Sequence, residues 1–130
     1  MAEDDYTKEE VDQFLHDQID SVPHLEALLL LWNSRPKRWS VNDMASGLYV
    51  ASEAAKEILD DLTRQGLILT VPGAEEAYYY EPSPSRDQLV ASVDSTYRRE
   101  LIRVSRLIHS KPSASVRAFA RAFRFKKDRG

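Results

Sequence analysis

The sequence predicts a mostly α-helical domain with one small β hairpin and a long C-terminal helix. Three observations carry this. Apolar residues recur at steps of three and four in several segments before residue 65 and again after residue 85. Two short runs, Leu67 to Val71 and Ala77 to Glu81, flank Pro72-Gly73-Ala74-Glu75-Glu76, which is turn chemistry between strands. Gly66 stands between the last helical pattern and the first strand, where a helix-stopping C′ glycine belongs.

Each element follows in order. Thr7-Lys8-Glu9-Glu10 is a capping-box pattern, and Val11, Phe14, Leu15 and Ile19 follow at helical spacing, so a first helix is expected from about Lys8 to Asp20. Ser21-Val22-Pro23 restarts the chain, with Ser as cap and Pro in the first turn. The second helix carries Leu25, Leu28, Leu29 and Trp32, widened by Leu30 and Leu31, and should be the most buried element. Ser40 with Asp43 caps a short third helix, Tyr49-Val50-Ala51 makes a turn, and Ser52 opens a fourth helix with Ala55, Ile58, Leu59 and Leu62 inward. After the hinge Pro82-Ser83-Pro84, Ser85 with Gln88 should cap one helix running to about Ser110. Along it Val90, Val93, Tyr97, Leu101, Val104 and Ile108 form a near coiled-coil seam.

Helix, helix, a short β segment at Arg38-Trp39-Ser40, helix, tight turn, helix and two-stranded wing is an order that resembles the winged helix-turn-helix of bacterial transcription regulators. The carrying residues are SVNDMASGLYVASEAAKEILDDLTRQGLI, Ser40 to Ile68, with Met44-Ala45, Leu48, Val50, Leu59, Leu62 and Gly66-Leu67-Ile68 at that fold's packing positions. Tyr49 replaces the usual Gly of the turn. The resemblance covers about half the chain. It implies that the helix over Ser52–Gln65 lies in a major groove and that the wing touches phosphate. The helix after the wing is similar to the dimerisation helices of such regulators, which makes the seam a homodimer contact. The organisation expected is an N-terminal helix over 1–20, the winged core over 21–82, the C-terminal helix over 83–111 and a basic amphipathic tail over 112–130.

Bulk numbers narrow the class. With 130 residues, 42% hydrophobic and 30% charged, the chain can bury one ordinary core. It has no cysteine, which excludes disulfides, a thiolate nucleophile and a Cys-based zinc site. MAEDDYTKEE lacks signal-peptide order, and the longest apolar run, Ala27 to Trp32, is too short to span a bilayer, so a cytoplasmic protein is expected. The charge is uneven. The first 97 residues carry 19 acids against 7 Lys and Arg, a balance of −12, and the last 33 carry 11 bases against 2 acids, +9. A basic tail with its own partner, or one folded back on an acidic body, fits this equally.

Charge also complicates the fourth helix. Its outer face presents Ser52, Glu53, Lys56, Glu57, Asp60 and Arg64, and with Asp61 the helix sums to −2; the wing adds Glu75, Glu76 and Glu81 with no base. Duplex affinity comes mostly from Lys and Arg replacing counterions at phosphates. Three readings of this face stay open: a solvated surface with Lys56/Asp60 and Asp60/Arg64 pairs, a surface for a regulatory protein, and a DNA-reading surface. A basic strip, Arg98, Arg99, Arg103 and Arg106, continues into the tail residues Arg117, Arg121, Arg124, Lys126 and Lys127, interleaved with Phe119, Phe123 and Phe125. Docking on the protein itself, phosphate contact, an acidic protein groove and an anionic membrane surface all use that pattern, the membrane least.

Nothing rises to catalysis: no nucleophile, phosphate loop or Gly-rich cradle accompanies the carboxylates, and no enzyme or cofactor is expected. His16, Asp20 and His24 are spaced four apart, but Ser21 and Pro23 break the helix that would align them, so no metal site is assigned. The leading expectation is a DNA-binding transcription regulator; the alternative is a protein-interaction winged helix that does not read DNA.

Overall fold

Thr7 closes a capping box with Glu10: its hydroxyl accepts from the Glu10 N–H at 3.1 Å, and the Glu10 carboxylate accepts from the Thr7 N–H at 2.8 Å. The computed structural model, which describes residues 6–73 and 76–110, continues from this cap into α1 (Lys8–Gln18). The helix ends at Gln18, short of the expected Asp20, because Ser21 already caps the next one through the His24 N–H at 3.3 Å, with Pro23 in its first turn. That helix, α2 (Val22–Asn33), buries Leu25, Ala27, Leu28, Leu29 and Leu31. Trp32, expected in the same stripe, is only half-buried and carries the Arg35 guanidinium 4.5 Å above its ring.

Ser40 and Asp43 form a second capping box and start α3 (Val41–Leu48). Tyr49 makes the turn at φ 59°, ψ 46°, left-handed backbone in which a Cβ crowds the following carbonyl. α4 (Ser52–Arg64) has no side-chain cap: Ala51 holds the N-cap position, and Ser52 lies one residue inside with its hydroxyl donating to Asn42 Oδ1 at 3.1 Å. Gly66, at φ 77°, ends the helix as expected.

The wing is the antiparallel pair β1 (Leu69–Val71) and β2 (Ala77–Tyr79), with Leu69 opposite Tyr79 and Val71 opposite Ala77. Trp39 adds a single further rung, its N–H and that of Tyr78 each donating to the other's carbonyl at 2.8 Å. Strand alternation sends Tyr78 and Tyr80 into the core and leaves Tyr79 half-exposed on the opposite face.

The C-terminal region departs from expectation. It is two helices, α5 (Pro84–Arg99) and α6 (Leu101–Ser110), divided at Glu100, whose backbone leaves helical geometry at φ −130°, ψ 49°. The cap is Ser83 rather than Ser85, since Pro84 fits the first helical position, where no N–H is needed. No Gly or Pro marks the break. It accompanies the packing of α6 on α1, where the Arg103 guanidinium donates to both oxygens of Asp12 (3.1 and 2.9 Å) and to Glu100 at 2.6 Å.

α3 packs on α4, α1 packs on α5 and α6, and α2 touches α3, α4, α5 and α6, so one apolar cluster joins the two halves. Among the described residues no helix is long and apolar enough to cross a membrane. The expected tail, with Arg117, Arg121, Arg124, Lys126 and Lys127, lies outside the described residues.

Tyr49 is 94% exposed, so it offsets little of its backbone cost by packing. Tyr49→Gly should therefore raise the unfolding free energy by about 0.5–1 kcal/mol, read as a higher urea midpoint with unchanged slope. A lower midpoint would show that the ring supplies more than the backbone costs.

Candidate nucleic-acid interface

The two helices of the helix-turn-helix are fixed from inside. Ala55, Ile58, Leu59 and Leu62 are buried along α4 and face Met44 and Ala45 of α3 within one core. What remains outside is the expected face: Ser52, Glu53, Lys56, Glu57 and Arg64 exposed, and Asp60 half-buried.

The bases on this face are already engaged. Lys56 Nζ lies 2.9 Å from Asp60 and 3.5 Å from Glu76 of the wing. Arg64 pairs with Asp61, not with Asp60 as the spacing alone suggested. Asp60 accepts instead from Lys56 and from the hydroxyl of the buried Tyr78, which donates to Asp60 Oδ1 at 3.0 Å. Burial by itself would push the Asp60 carboxyl up, but the hydrogen bonds from Lys56 and Tyr78 outweigh it and hold it below its ordinary 3.8. The same contacts raise the Lys56 ammonium, the hydrogen bond to Asp60 foremost. Glu53 and Glu57 have no cationic partner among the described residues. The outward field of α4 is thus negative.

Within the described residues the four helix members of the basic strip do not share one environment. Arg98 pairs with Asp94 at 3.0 Å, and Arg103 is half-buried between Asp12 and Glu100 as a brace for α1 and α6. The hydrogen bond from Arg103 holds the Glu100 carboxyl below the usual range. Arg99 and Arg106 stay exposed without an ion pair among the described residues. The expected dimer seam is likewise used inside the chain: Val90, Val93, Val104 and Ile108 belong to its own core, and Tyr97 is half-buried with its hydroxyl donating to Glu26 at 3.2 Å. Only Leu101 faces outward, 51% exposed, beside Ile102 at 64%. Leu101 is the first residue of α6, at the break, where the helix end leaves it uncovered.

A feature missed in the sequence lies between α2 and α3. Arg35 stands over Trp32 (4.5 Å to the ring centroid), Lys37 over Trp39 (4.6 Å) and Arg38 over Tyr79 (5.5 Å). The signal available was three of the seven Lys and Arg of the first 97 residues falling within four positions, next to a Trp.

Asp20 and His24 come together with Asp61 of α4, one potential ligand atom from each lying within 4.8 Å of the others. The His24 ring is held on both nitrogens, by Ser21 Oγ at 2.6 Å and Asp61 Oδ2 at 2.8 Å, which makes it a joint between the start of α2 and α4.

With these elements in place the fold is a winged helix-turn-helix. No family model matches the sequence, and no curated protein does. Solved structures do share the architecture. The chain is similar to the transcription regulator MepR of Staphylococcus aureus, at 20% identity and a TM-score of 0.54 over 92% of this chain and 86% of that one. In its DNA complex the same regulator gives 16% identity and a TM-score of 0.56 over 95% and 91%. A MarR family protein from Bacillus stearothermophilus matches at 19% identity and a TM-score of 0.52 over 94% and 83%. At such identities the likeness is one of fold.

The Asp60 network has a pH signature. A carboxyl held below its ordinary value contributes stability that is present above about pH 4 and is lost as the pH falls through the folded value. The urea midpoints of wild type and Asp60→Asn should therefore converge between about pH 5 and pH 2. A gap that stays constant across that range would remove Asp60 from the acid response.

Proposed function

We propose that this protein is a non-enzymatic winged-helix regulator that binds duplex DNA. The observation that carries the reading is the continuous helix-turn-helix and wing, alike over nearly the whole chain to a regulator solved on DNA. The fold supplies a rigid α4 and a wing beside it, the two parts that meet the groove and the backbone in this architecture. The negative face of α4 favours a second reading, in which Glu53, Glu57 and Asp60 meet a basic regulatory protein.

One titration separates the two. A duplex-binding protein shows an affinity whose logarithm falls with log salt, by about 0.9 for each phosphate contact. Glu53→Lys with Glu57→Lys should steepen that fall if α4 lies against the duplex. No duplex binding by the full chain at ~50 mM salt would sink the DNA reading and leave the protein-binding one.

We also infer a homodimer, built around Leu101 and Ile102 instead of the seam residues that the core has absorbed. Leu101→Glu with Ile102→Glu should shift the sedimentation coefficient from dimer to monomer while the helical circular dichroism is kept. A wild type that sediments as a monomer, or a double variant that remains dimeric, rules this surface out.

A further inference from the structure

Lys37 and Arg38 differ from the other cations of the winged core in one respect. Arg35 is 3.8 Å from Asp87, Lys56 is held by Asp60 and Glu76, and Arg64 by Asp61. Lys37 and Arg38 are exposed, and no carboxylate lies within 4.0 Å of either among the described residues. Each is instead set against an aromatic ring, Trp39 or Tyr79.

The rings are themselves fixed. The Trp39 indole N–H donates to Ser34 Oγ at 2.9 Å, and its ring edge lies so close to α3 that a Cβ at Gly47 would stand 3.2 Å from it. The Trp39–Tyr78 rung ties the loop to β2, whose next residue is Tyr79. A cation stacked on a ring keeps its N–H groups available at the edge, so part of the ordering cost of gripping an anion is met before binding. Position adds to this. Arg38 is two residues ahead of Ser40, the cap of α3, and α3 is the first helix of the helix-turn-helix, the one that crosses the nucleic-acid backbone in this architecture.

We propose that Lys37 and Arg38 are the phosphate clamp of this protein, gripping the duplex backbone at the start of α3 in place of the acidic α4 and wing. This rests on the DNA-binding reading above and adds where the backbone is held. It also accounts for how a negative α4 could approach a base edge: the Coulomb attraction is supplied from a neighbouring corner, and a carboxylate can then accept from a cytosine amine. An acidic protein surface is the competing occupant of the same corner. The winged architecture and the α3 position favour the nucleic acid.

The test compares the full chain with Lys37→Gln/Arg38→Gln, with Tyr79→Leu and with Lys8→Gln. The last removes one charge from α1, where Lys8 pairs with Glu100. Binding to two duplexes of unrelated sequence is followed across a salt series, with polyglutamate as a second ligand. The clamp predicts that the double variant weakens both duplexes equally and lowers the salt slope by about 1.8, two phosphate contacts' worth. Tyr79→Leu keeps both charges and the slope but binds more weakly, and Lys8→Gln matches wild type. If wild type binds and the double variant keeps its slope, the clamp is wrong and the DNA reading stands. An equal loss in Lys8→Gln reduces the effect to net charge and overturns the clamp as well. Duplex binding unchanged while polyglutamate binding is lost assigns the corner to an acidic protein. Absence of duplex binding in wild type removes clamp and DNA reading together. Both substituted side chains are exposed, and circular dichroism of each variant confirms the fold that these comparisons require.

Discussion

Burial of α2 is the constraint from which the rest follows. Leu25, Ala27, Leu28, Leu29 and Leu31 are buried around most of its circumference, with α3 and α4 on one side and α5 and α6 on another. A helix apolar over so much of its surface is stable only when covered, at about 25 cal/mol per Å² of apolar area removed from water. Covering it fixes the angle between the helix-turn-helix and the C-terminal helices. The positions of α4, the wing and the basic corner are consequences of that packing, and so is the capture of Val90, Val93, Val104 and Ile108 that an intermolecular seam would have needed.

Local chemistry was legible wherever it was self-contained. Thr7 with Glu10, Ser40 with Asp43, and Gly66 each specify a helix end within four residues, and each is found as read. The winged helix-turn-helix was legible as a resemblance, carried by the order of the elements and by the residues from Ser40 to Ile68. The division at Glu100 was not. No breaker residue is present, and the contact that accompanies the break is long-range, the pairing of Arg103 with Asp12 some ninety positions earlier in the chain. A seam with coiled-coil steps therefore looked continuous and outward-facing while it was neither.

The candidate site was legible in composition but not in arrangement. That α4 is acidic could be counted. That Asp60 would accept from Tyr78 depends on the strand register, which no spacing rule supplies. The basic strip is broken in two ways: Arg98 pairs with Asp94 one turn back on its own helix, and Arg103 is claimed by Asp12 from the far end of the chain, while Arg99 and Arg106 stay exposed. Charge counted along a chain measures potential partners, and the fold decides which are already taken. The cationic corner at Lys37 and Arg38 is the converse, a small number of charges made available because rings and not acids hold them.

The single backbone rung between Trp39 and Tyr78 has a consequence for how this protein can vary. It closes a ring of chain running from α2 through the loop to the sheet, and the Trp39 indole is locked at the same time to Ser34 and against Gly47. A residue added to or removed from positions 35–38 would shift the rung by one and turn the indole to the other side of the strand, since strand side chains alternate. The loop therefore cannot change its length without detaching the wing from the body of the domain.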